Sequence, residues 1–220
     1  MILIPVKNLS SAKQRLASVL DQPSRTELAQ TMLTDVVAAL AAWQDRPACA
    51  LVTGDPFAID LARQNDFEVI PDAENPGETG AIEMATELCV ARGIESTLVM
   101  PADIPLIVAS EVEQIYTQAP HEGSVLAPAF DGRGTNAAFR RPANLFPLRF
   151  GNDSFKPHLA TAQATGKPCI VLSLPRIAID VDNPADLQQL LSQPGDSRSQ
   201  ILLRRWTMEG RLPGLKAEAV

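Results

Sequence analysis

Hydrophobic and polar residues alternate in blocks along the chain, and each block has the length of a strand or a helix. Short apolar runs predict buried strands, for example MILIPV at 1–6 and STLVMPAD at 96–103. Between these runs, apolar residues recur at helical spacing; over 21–43 they are Ala29, Met32, Leu33, Val36, Val37, Leu40 and Trp43. The pattern predicts strands that alternate with helices over about 190 residues.

This order of elements predicts an α/β fold with a doubly wound, mostly parallel sheet and helices on both faces. In such sheets, ligands bind beyond the carboxyl ends of the strands, where the strand order reverses. We expect one domain over residues 1–192. The polar stretch 193–220 carries one amphipathic patch around Trp206, and we expect a C-terminal extension that is partly disordered or docked on a partner.

Composition narrows the function classes. The chain has 220 residues, of which 45% are hydrophobic and 20% charged, as in a globular protein with a real core. Its net charge of −7 argues against a nucleic-acid partner. No run approaches the ~20 apolar residues that span a bilayer, and the N-terminus reads as a strand rather than a secretion signal. We therefore expect a cytoplasmic protein with no membrane partner.

Cysteine and histidine chemistry is not favoured by the sequence. Cys49, Cys89 and Cys169 lie far apart with no CxxC pair, so we expect buried, reduced thiols rather than a zinc site. We interpret His121 and His158 as incidental, because no third residue completes a triad for nucleophilic catalysis.

Aspartates follow two of the predicted strands. In LVMPADIPL (98–106), Asp103 comes between two prolines directly after the apolar run. A carboxylate there is a hard oxygen ligand of the kind that Mg²⁺ prefers beside phosphate oxygens; the alternative is an aspartate that caps the next helix. In AIDVD (178–182), a predicted strand, Asp180 and Asp182 alternate with apolar residues, and we expect one of them to share a site with Asp103. We choose Asp182.

A basic loop follows the first strand. IPVKNLSSAKQRL (4–16) carries Lys7, Lys13 and Arg15 where a doubly wound fold places its phosphate-binding turn. The segment lacks the glycines of a dinucleotide fingerprint or a P-loop, so the side-chain cations would have to neutralise the phosphates. The alternative is an exposed basic loop.

Two further segments offer anion-binding groups. FDGRGTNAAF places two glycines ahead of Thr135 and Asn136, whose side chains can bind a phosphate or carboxylate; the alternative is a plain hairpin turn. RFGNDSF (149–155) places Gly151 and Ser154 before a helix, whose first amides attract anions; the alternative is an ordinary helix cap. Residues 130–167 also form a local basic island, which suits a small anionic ligand. Its basic residues are Arg133, Arg140, Arg141, Arg149, Lys156 and Lys167.

Five motifs in order carry a family resemblance: IPVK followed by AKQRL, then PADIP, DGRGTNA, FGNDSF and DVDNPADL. Together they resemble the 2-phospho-L-lactate guanylyltransferase family over about residues 1–192. That family is similar to nucleotidyltransferases with a molybdenum-cofactor guanylyltransferase-like, nucleotide-diphospho-sugar transferase-like fold. The resemblance implies a GTP-dependent step of coenzyme F-420 biosynthesis, in which a phospho-acid attacks the α-phosphorus of GTP and pyrophosphate leaves. The acceptor would be 2-phospho-L-lactate, phosphoenolpyruvate or 3-phospho-D-glycerate.

The resemblance also implies roles for the matching residues. Asp103 and Asp182 would hold Mg²⁺, and Lys13 and Arg15 would contact the GTP phosphates as catalytic cations. The acceptor would be bound by Thr135, Gly151 and Ser154.

One segment departs from the wider superfamily. Where relatives often carry Gly-Leu-Asn for the base and ribose, this chain reads NPGETGAIEMA at 75–85. Nucleotide binding is assigned there by position, to Gly77, Glu78 and Thr79, together with Lys7 of the basic loop.

Three alternatives stay open. The first is another nucleotidyltransferase on the same fold that acts on a sugar phosphate or molybdopterin. The others are a non-catalytic GTP-binding module and a plain α/β domain whose tail is an interaction peptide. For the main interpretation the expected partners are GTP and a small phosphorylated carboxylic acid. A second copy of the chain and a downstream transferase of the F-420 pathway are the candidate protein partners.

Overall fold

The computed structural model describes residues 1–72, 77–151 and 153–212. Its strands are β1 Ile2–Val6, β2 Cys49–Thr53, β3 Glu68–Pro71, β4 Thr97–Val99, β5 Gly123–Pro128, β6 Thr135–Arg141 and β7 Cys169–Val171. Across these described ranges they form one seven-stranded sheet in the order β3-β2-β1-β4-β6-β5-β7. The start of NPGETGAIEMA, one residue of RFGNDSF and the end of the expected extension lie outside the described residues.

Helices cover both faces of the sheet, as the sequence predicts. They are α1 Gln22–Ala41, α2 Pro56–Gln64, α3 Glu78–Ala91, α4 Ala109–Gln118, α5 Phe155–Ala164, α6 Pro184–Ser192 and α7 Arg198–Met208. Successive strand residues point to opposite faces. On β1, Ile2 and Ile4 pack with α1, α2 and α4, whereas Leu3 packs with α3 on the other face.

The sheet is mostly parallel, with one strand reversed. β1 pairs parallel with β2 and β4, β2 with β3, and β5 with β7. β6 runs antiparallel to β4 and β5. Because β6 is reversed, its first residue, Thr135, lies at the same edge as the carboxyl ends of β1 and β4. The loops after β1 and β4 therefore meet the start of β6 at one edge of the sheet.

The predicted strand in AIDVD (178–182) is wrong, because β7 ends at Val171 and the following segment is irregular. Its backbone groups bond to side chains and to loop residues instead of a neighbouring strand. The Glu111 carboxylate accepts from the N–H groups of residues 176 and 177, and Asn136 Nδ2 donates to the carbonyls of residues 177 and 178. These bonds fold the segment back towards β6, so the positions of its aspartates are not those of residues in a strand.

The C-terminal segment up to Leu212 is part of the fold, which corrects the expected extension. α7 packs on α1 and α6 and buries Trp206 completely. The start of α7 is fixed by Asp35 of α1, whose carboxylate accepts from Arg198 N (3.0 Å), Ser199 N (2.9 Å) and Ser199 Oγ (2.7 Å). The amphipathic patch in the sequence is thus covered by this chain's own helices.

Two further expectations concern membranes and cysteines. Among the helices that the structure describes, none combines the length and apolar character needed to cross a bilayer. The three cysteines are free; Cys49 and Cys89 are buried, and Cys169 is partly exposed.

Candidate active site

Charged residues far apart in sequence meet at the carboxyl edge of the sheet. Lys13 Nζ donates to the carboxylate of Asp103 and, at 3.0 Å, to Oδ1 of Asp182. The backbone brings these aspartates together, since the Val181 N–H donates to the Asp103 carbonyl at 3.2 Å. Arg15 Nη1 reaches the second oxygen of Asp182 at 3.3 Å. Of the residues predicted to hold metal and phosphate, Lys13, Arg15, Asp103 and Asp182 thus form one cluster.

The basic loop has a local geometry that places Lys13 in this cluster. Two short 3-10 turns, Leu9–Ser11 and Gln14–Leu16, replace the glycine-rich turn of other nucleotide sites. Between them Lys13 adopts a left-handed backbone conformation, with φ 55° and ψ 43°. Such a conformation is strained for a residue with a side chain and is found most often at functional sites. The Lys13 side chain is only 10% exposed, so its ammonium is shielded from water.

Lys13 and Asp182 stabilise each other's charged forms. Burial by itself lowers the pKa of Lys13, but the charges of Asp103 and Asp182 outweigh it and raise the pKa above its ordinary value. Burial by itself raises the pKa of Asp182, but the Lys13 ammonium and Arg15 outweigh it and hold the pKa below its usual range. The carboxylates therefore face a fixed positive charge.

A cavity of about 460 Å³ opens over this cluster. It lies beyond the carboxyl ends of β1 and β4, where the sequence predicts ligand binding. The charged side chains that line it are Lys7, Lys13, Arg15, Glu78, Asp103 and Asp182. Burial, followed by the charge of Asp103, raises the pKa of Glu78 to about 7.

The residues assigned to nucleotide binding around the start of α3 separate into different positions. Glu78 lines the cavity. Gly77 adopts a φ of 95° next to Lys7, whose Nζ lies 3.7 Å from where a Cβ would be. Thr79 points elsewhere: its Oγ1 accepts from the Phe150 N–H at 3.0 Å, which ties α3 to the loop that contains Gly151.

The residues predicted to bind the acceptor form a second group at the same edge. Ser154 Oγ donates to Thr135 Oγ1 at 3.2 Å, and both residues are buried. Thr135 Oγ1 also lies 2.9 Å from His158 Nδ1. Gly151 adopts a φ of 142° in the loop before Ser154, a conformation that favours glycine. Thr135 and Ser154 are thus in direct contact, with Gly151 three residues before Ser154.

The predicted basic island does not form one surface. Arg140 is buried and donates to the Phe146 carbonyl at 2.7 Å, so it acts within the core. Arg133 forms a two-contact ion pair with Asp153, which joins the glycine turn to the start of α5. Arg133 and Lys156 line a cavity of about 480 Å³ together with Asp153, the residue before Ser154. Two members of the island therefore share one cavity, whereas Arg140 does not.

Two residues that the sequence interpretation did not assign to the site, Asp180 and His158, lie beside the predicted site residues. Asp180, which was not chosen for the site, accepts from Asn136 Nδ2 at 3.0 Å and lines a small cavity with Arg15 and Asp182. Burial, followed by the charge of Asp103, raises the pKa of Asp180 to about 6. The sequence offers Asp180 and Asp182 together but does not distinguish their roles, because their positions depend on the irregular segment.

His158 is the second missed residue. It was interpreted as incidental, yet its ring contacts Thr135. A local signal was present, because His158 follows Ser154 by four residues, one turn along the helix.

Solved structures support the fold. A protein described as a nucleotide-diphospho-sugar transferase, from Desulfovibrio desulfuricans G20, aligns with a TM-score of 0.76 over 94% of each chain at 20% identity. A nucleotidyl transferase from Methanothermobacter aligns with a TM-score of 0.58 over 93% of this chain and 99% of that chain, at 17% identity. At these identities the likeness shows the fold.

Curated relatives have similar sequences over most of the chain. Phosphoenolpyruvate guanylyltransferase of Sphaerobacter thermophilus is 34% identical over 86% of this chain and 90% of its own length. 2-Phospho-L-lactate guanylyltransferase of Methanothermobacter thermautotrophicus is 30% identical over 92% and 89%. 3-Phospho-D-glycerate guanylyltransferase of Colwellia psychrerythraea is 33% identical over 88% and 92%.

The fold, the charged site and these relatives define the chain as a nucleotidyltransferase. Its sequence matches the family described as "Guanylyl transferase CofC like" over residues 1–212. The chain belongs to this family of guanylyltransferases, which confirms the resemblance drawn from its motifs.

Proposed function

We propose that this enzyme condenses GTP with a small phosphorylated carboxylic acid in coenzyme F-420 biosynthesis. A phosphate oxygen of the acid attacks the α-phosphorus of GTP, the bond from that phosphorus to the bridging oxygen breaks, and pyrophosphate leaves. The relatives act on phosphoenolpyruvate, 2-phospho-L-lactate and 3-phospho-D-glycerate, and these define the substrate class. The observation that carries the proposal is the contact of Lys13 with Asp103 and Asp182 at the sheet edge where Thr135 begins β6.

The residues at the cluster fit Mg²⁺. Asp103 and Asp182 already converge on one cation, the Lys13 ammonium, and both offer hard carboxylate oxygens. Within the described ranges no group of three or more acidic, histidine or cysteine side chains could hold a metal. The remaining ligands would therefore come from phosphate oxygens and water, as is usual for Mg²⁺. When bound, Mg²⁺ would supply positive charge to the phosphates.

Lys13 and Arg15 have the charge and position to bind the triphosphate. An ammonium has three N–H donors, and the contacts to Asp103 and Asp182 use two of the three on Lys13. Arg15 lies at the open side, with a side chain 61% exposed. Lys7 lines the same cavity next to Gly77 at the start of α3, where backbone amides favour a negative ligand.

The acceptor fits the second group of residues. Thr135 and Ser154 provide hydroxyls, and Arg133 and Lys156 provide positive charge in a cavity that is also lined by Asp153, the residue before Ser154. The acceptor phosphate is already an anion, so the reaction needs no general base. Positioning and charge neutralisation carry the rate, which suits a site built from cations, carboxylates and hydroxyls.

We further propose a cytoplasmic location, which is supported by the free thiols of a chain with three cysteines. The guanosine-diphospho-linked product would be consumed by a transferase that accepts this activated group.

Incubation of the enzyme with GTP, Mg²⁺ and each of the three acids tests the proposal, with pyrophosphate release and product mass as readouts. We expect one acid to give a guanosine-diphospho-linked product, and ATP or CTP to replace GTP poorly. Turnover with a sugar phosphate or molybdopterin but none of the acids would identify a different nucleotidyltransferase. GTP binding without turnover would identify a non-catalytic module.

A further inference from the structure

Both ring nitrogens of His158 make hydrogen bonds, and the ring lies beside Thr135, one of the residues predicted to bind the phospho-acid. Nδ1 lies 2.9 Å from Thr135 Oγ1, and Nε2 accepts from the backbone N–H of Arg149 at 2.8 Å. The residue is 2% exposed, and its ring packs edge-on against Phe150 at 5.3 Å between centroids. The ring therefore joins the loop before α5 to the first residue of β6.

These contacts assign the position of the ring proton. A backbone N–H can only donate, so Nε2 must be unprotonated where it faces Arg149. In a neutral imidazole the proton is then on Nδ1, which donates to Thr135 Oγ1. Burial, followed by the charge of Arg140, lowers the pKa of His158 to about 4, so the ring is neutral at neutral pH.

The direction of these bonds determines what the Thr135 hydroxyl can do. Its oxygen accepts from His158 Nδ1 and from Ser154 Oγ, which uses both lone pairs. Its own proton is left to donate, and no described residue accepts it. A hydroxyl in this state is a fixed donor, which suits the oxygen of an anion and does not suit a ligand that donates.

We propose that His158 is a positioning residue for the phospho-acid: it holds the Thr135 hydroxyl as a donor aimed at an anionic oxygen of the acceptor. This inference rests on the proposed function, because that function places the acceptor at Thr135. His158 itself does not touch the substrate and takes no proton during the reaction.

Two amide variants separate the two ring contacts. The amide group of glutamine reaches about as far as Nε2, so His158→Gln keeps an acceptor for the Arg149 N–H and loses the donor to Thr135. The shorter asparagine places its amide near Nδ1, so His158→Asn keeps the donor to Thr135. Together they distinguish the proposed role from simple packing.

The experiment measures KM for the phospho-acid at saturating GTP and Mg²⁺, and KM for GTP at saturating phospho-acid. For His158→Gln we expect KM for the acid to rise about tenfold, the loss of one hydrogen bond, with kcat and KM for GTP little changed. For His158→Asn we expect KM for the acid within about threefold of wild type. In a Thr135→Val background, His158→Gln should have no further effect, because the hydroxyl it orients is gone.

Provided that the wild-type enzyme turns over one of the acids, three results would overturn the inference. They are an unchanged KM for the acid in His158→Gln, an equal rise of KM for the acid and for GTP, and an undiminished effect of His158→Gln in the Thr135→Val background. Nitrogen NMR of the His158 ring in wild type adds a readout that does not depend on turnover. A proton on Nε2 would also overturn the inference. Absence of turnover by wild type with every acid would instead refute the proposed function, and this inference with it.

Discussion

Lys13 Nζ lies between the carboxylates of Asp103 and Asp182, residues 90 and 169 positions further along the chain. One cation thereby neutralises two acids that would otherwise repel each other at a sheet edge. The same two carboxylates are the proposed ligands of Mg²⁺. The lysine and the proposed metal ion would therefore compete for the same oxygens in the absence of phosphates.

Replacing Lys13 by methionine tests this competition. Without the ammonium, the two carboxylates repel each other, so we expect a lower Tm in the absence of metal. Mg²⁺ should then raise the Tm more than it does for wild type, because the ion no longer displaces a bound cation. Thermal unfolding with and without Mg²⁺, in the absence of nucleotide, provides the measurement.

Lys7→Met is the matched control, because Lys7 lines the same cavity but contacts neither aspartate in the structure. It should show the wild-type response to Mg²⁺. A response of Lys13→Met no larger than that of wild type would contradict the competition.

Glu78 gives a prediction for pH. Burial, and then the charge of Asp103, raises its pKa from an ordinary 4.5 to about 7. Between these values the folded state binds more protons than the unfolded state, so the contribution of Glu78 to stability falls as pH rises through this window. Glu78→Gln cannot ionise, and we expect its Tm to fall less than that of wild type between pH 5 and pH 8, measured without metal.

The control is Glu83→Gln, an exposed position on the same helix. It should keep the wild-type pH dependence. If Glu78→Gln shows the same fall in Tm as wild type, Glu78 is not the group that titrates in this window.

Thr135→Val removes the hydroxyl that faces the proposed acceptor and keeps a similar shape. We expect KM for the phospho-acid to rise about tenfold, because one hydrogen bond to an anion is lost, with KM for GTP little changed. Thr161→Val on α5 is the control, since its hydroxyl donates to the Pro157 carbonyl and lies outside the group. Unchanged steady-state kinetics in Thr135→Val would remove this residue from the acceptor site.

Trp206 tests whether α7 stabilises the domain. The side chain is fully buried against α1 and α6, so Trp206→Ala should lower the free energy of unfolding by about 3–5 kcal/mol. Met208→Ala, at an 80% exposed position of the same helix, should change it by less than about 0.5 kcal/mol. Equal urea midpoints for the two variants would show that α7 is not packed on the domain in solution.

Local sequence signals were sufficient for most elements and for part of the site. The apolar runs at 1–6 and 96–103 contain β1 and β4, and the helical spacing over 21–43 contains α1, because burial on a sheet or helix face imposes a short repeat. Asp103 was found because it follows an apolar run and breaks it. Thr135 and Ser154 were singled out separately, in motifs that place small polar residues beside glycines, and only the family resemblance assigned both of them to the acceptor.

Other features depend on contacts that no local pattern records. AIDVD has the composition of a strand, but its backbone bonds to groups distant in sequence: the Ala178 carbonyl accepts from Asn136 Nδ2, and the Val181 N–H donates to the Asp103 carbonyl. The role of His158 depends on the side chain and backbone that its two nitrogens meet. For α7, the apolar face was visible in the sequence, whereas its partner was not, because amphipathicity does not identify the surface that covers it.

The rate of Mg²⁺-dependent pyrophosphate release by Asp103→Asn and Asp182→Asn tests the central claim most directly. Asp60→Asn, at a carboxylate that is 69% exposed on α2, provides the control for loss of an acid elsewhere. We predict that the rate with GTP and the accepted acid falls at least about 100-fold in both site variants, with a folded protein by thermal unfolding and wild-type rates in the control. Turnover at the wild-type rate in either Asp103→Asn or Asp182→Asn would contradict the account.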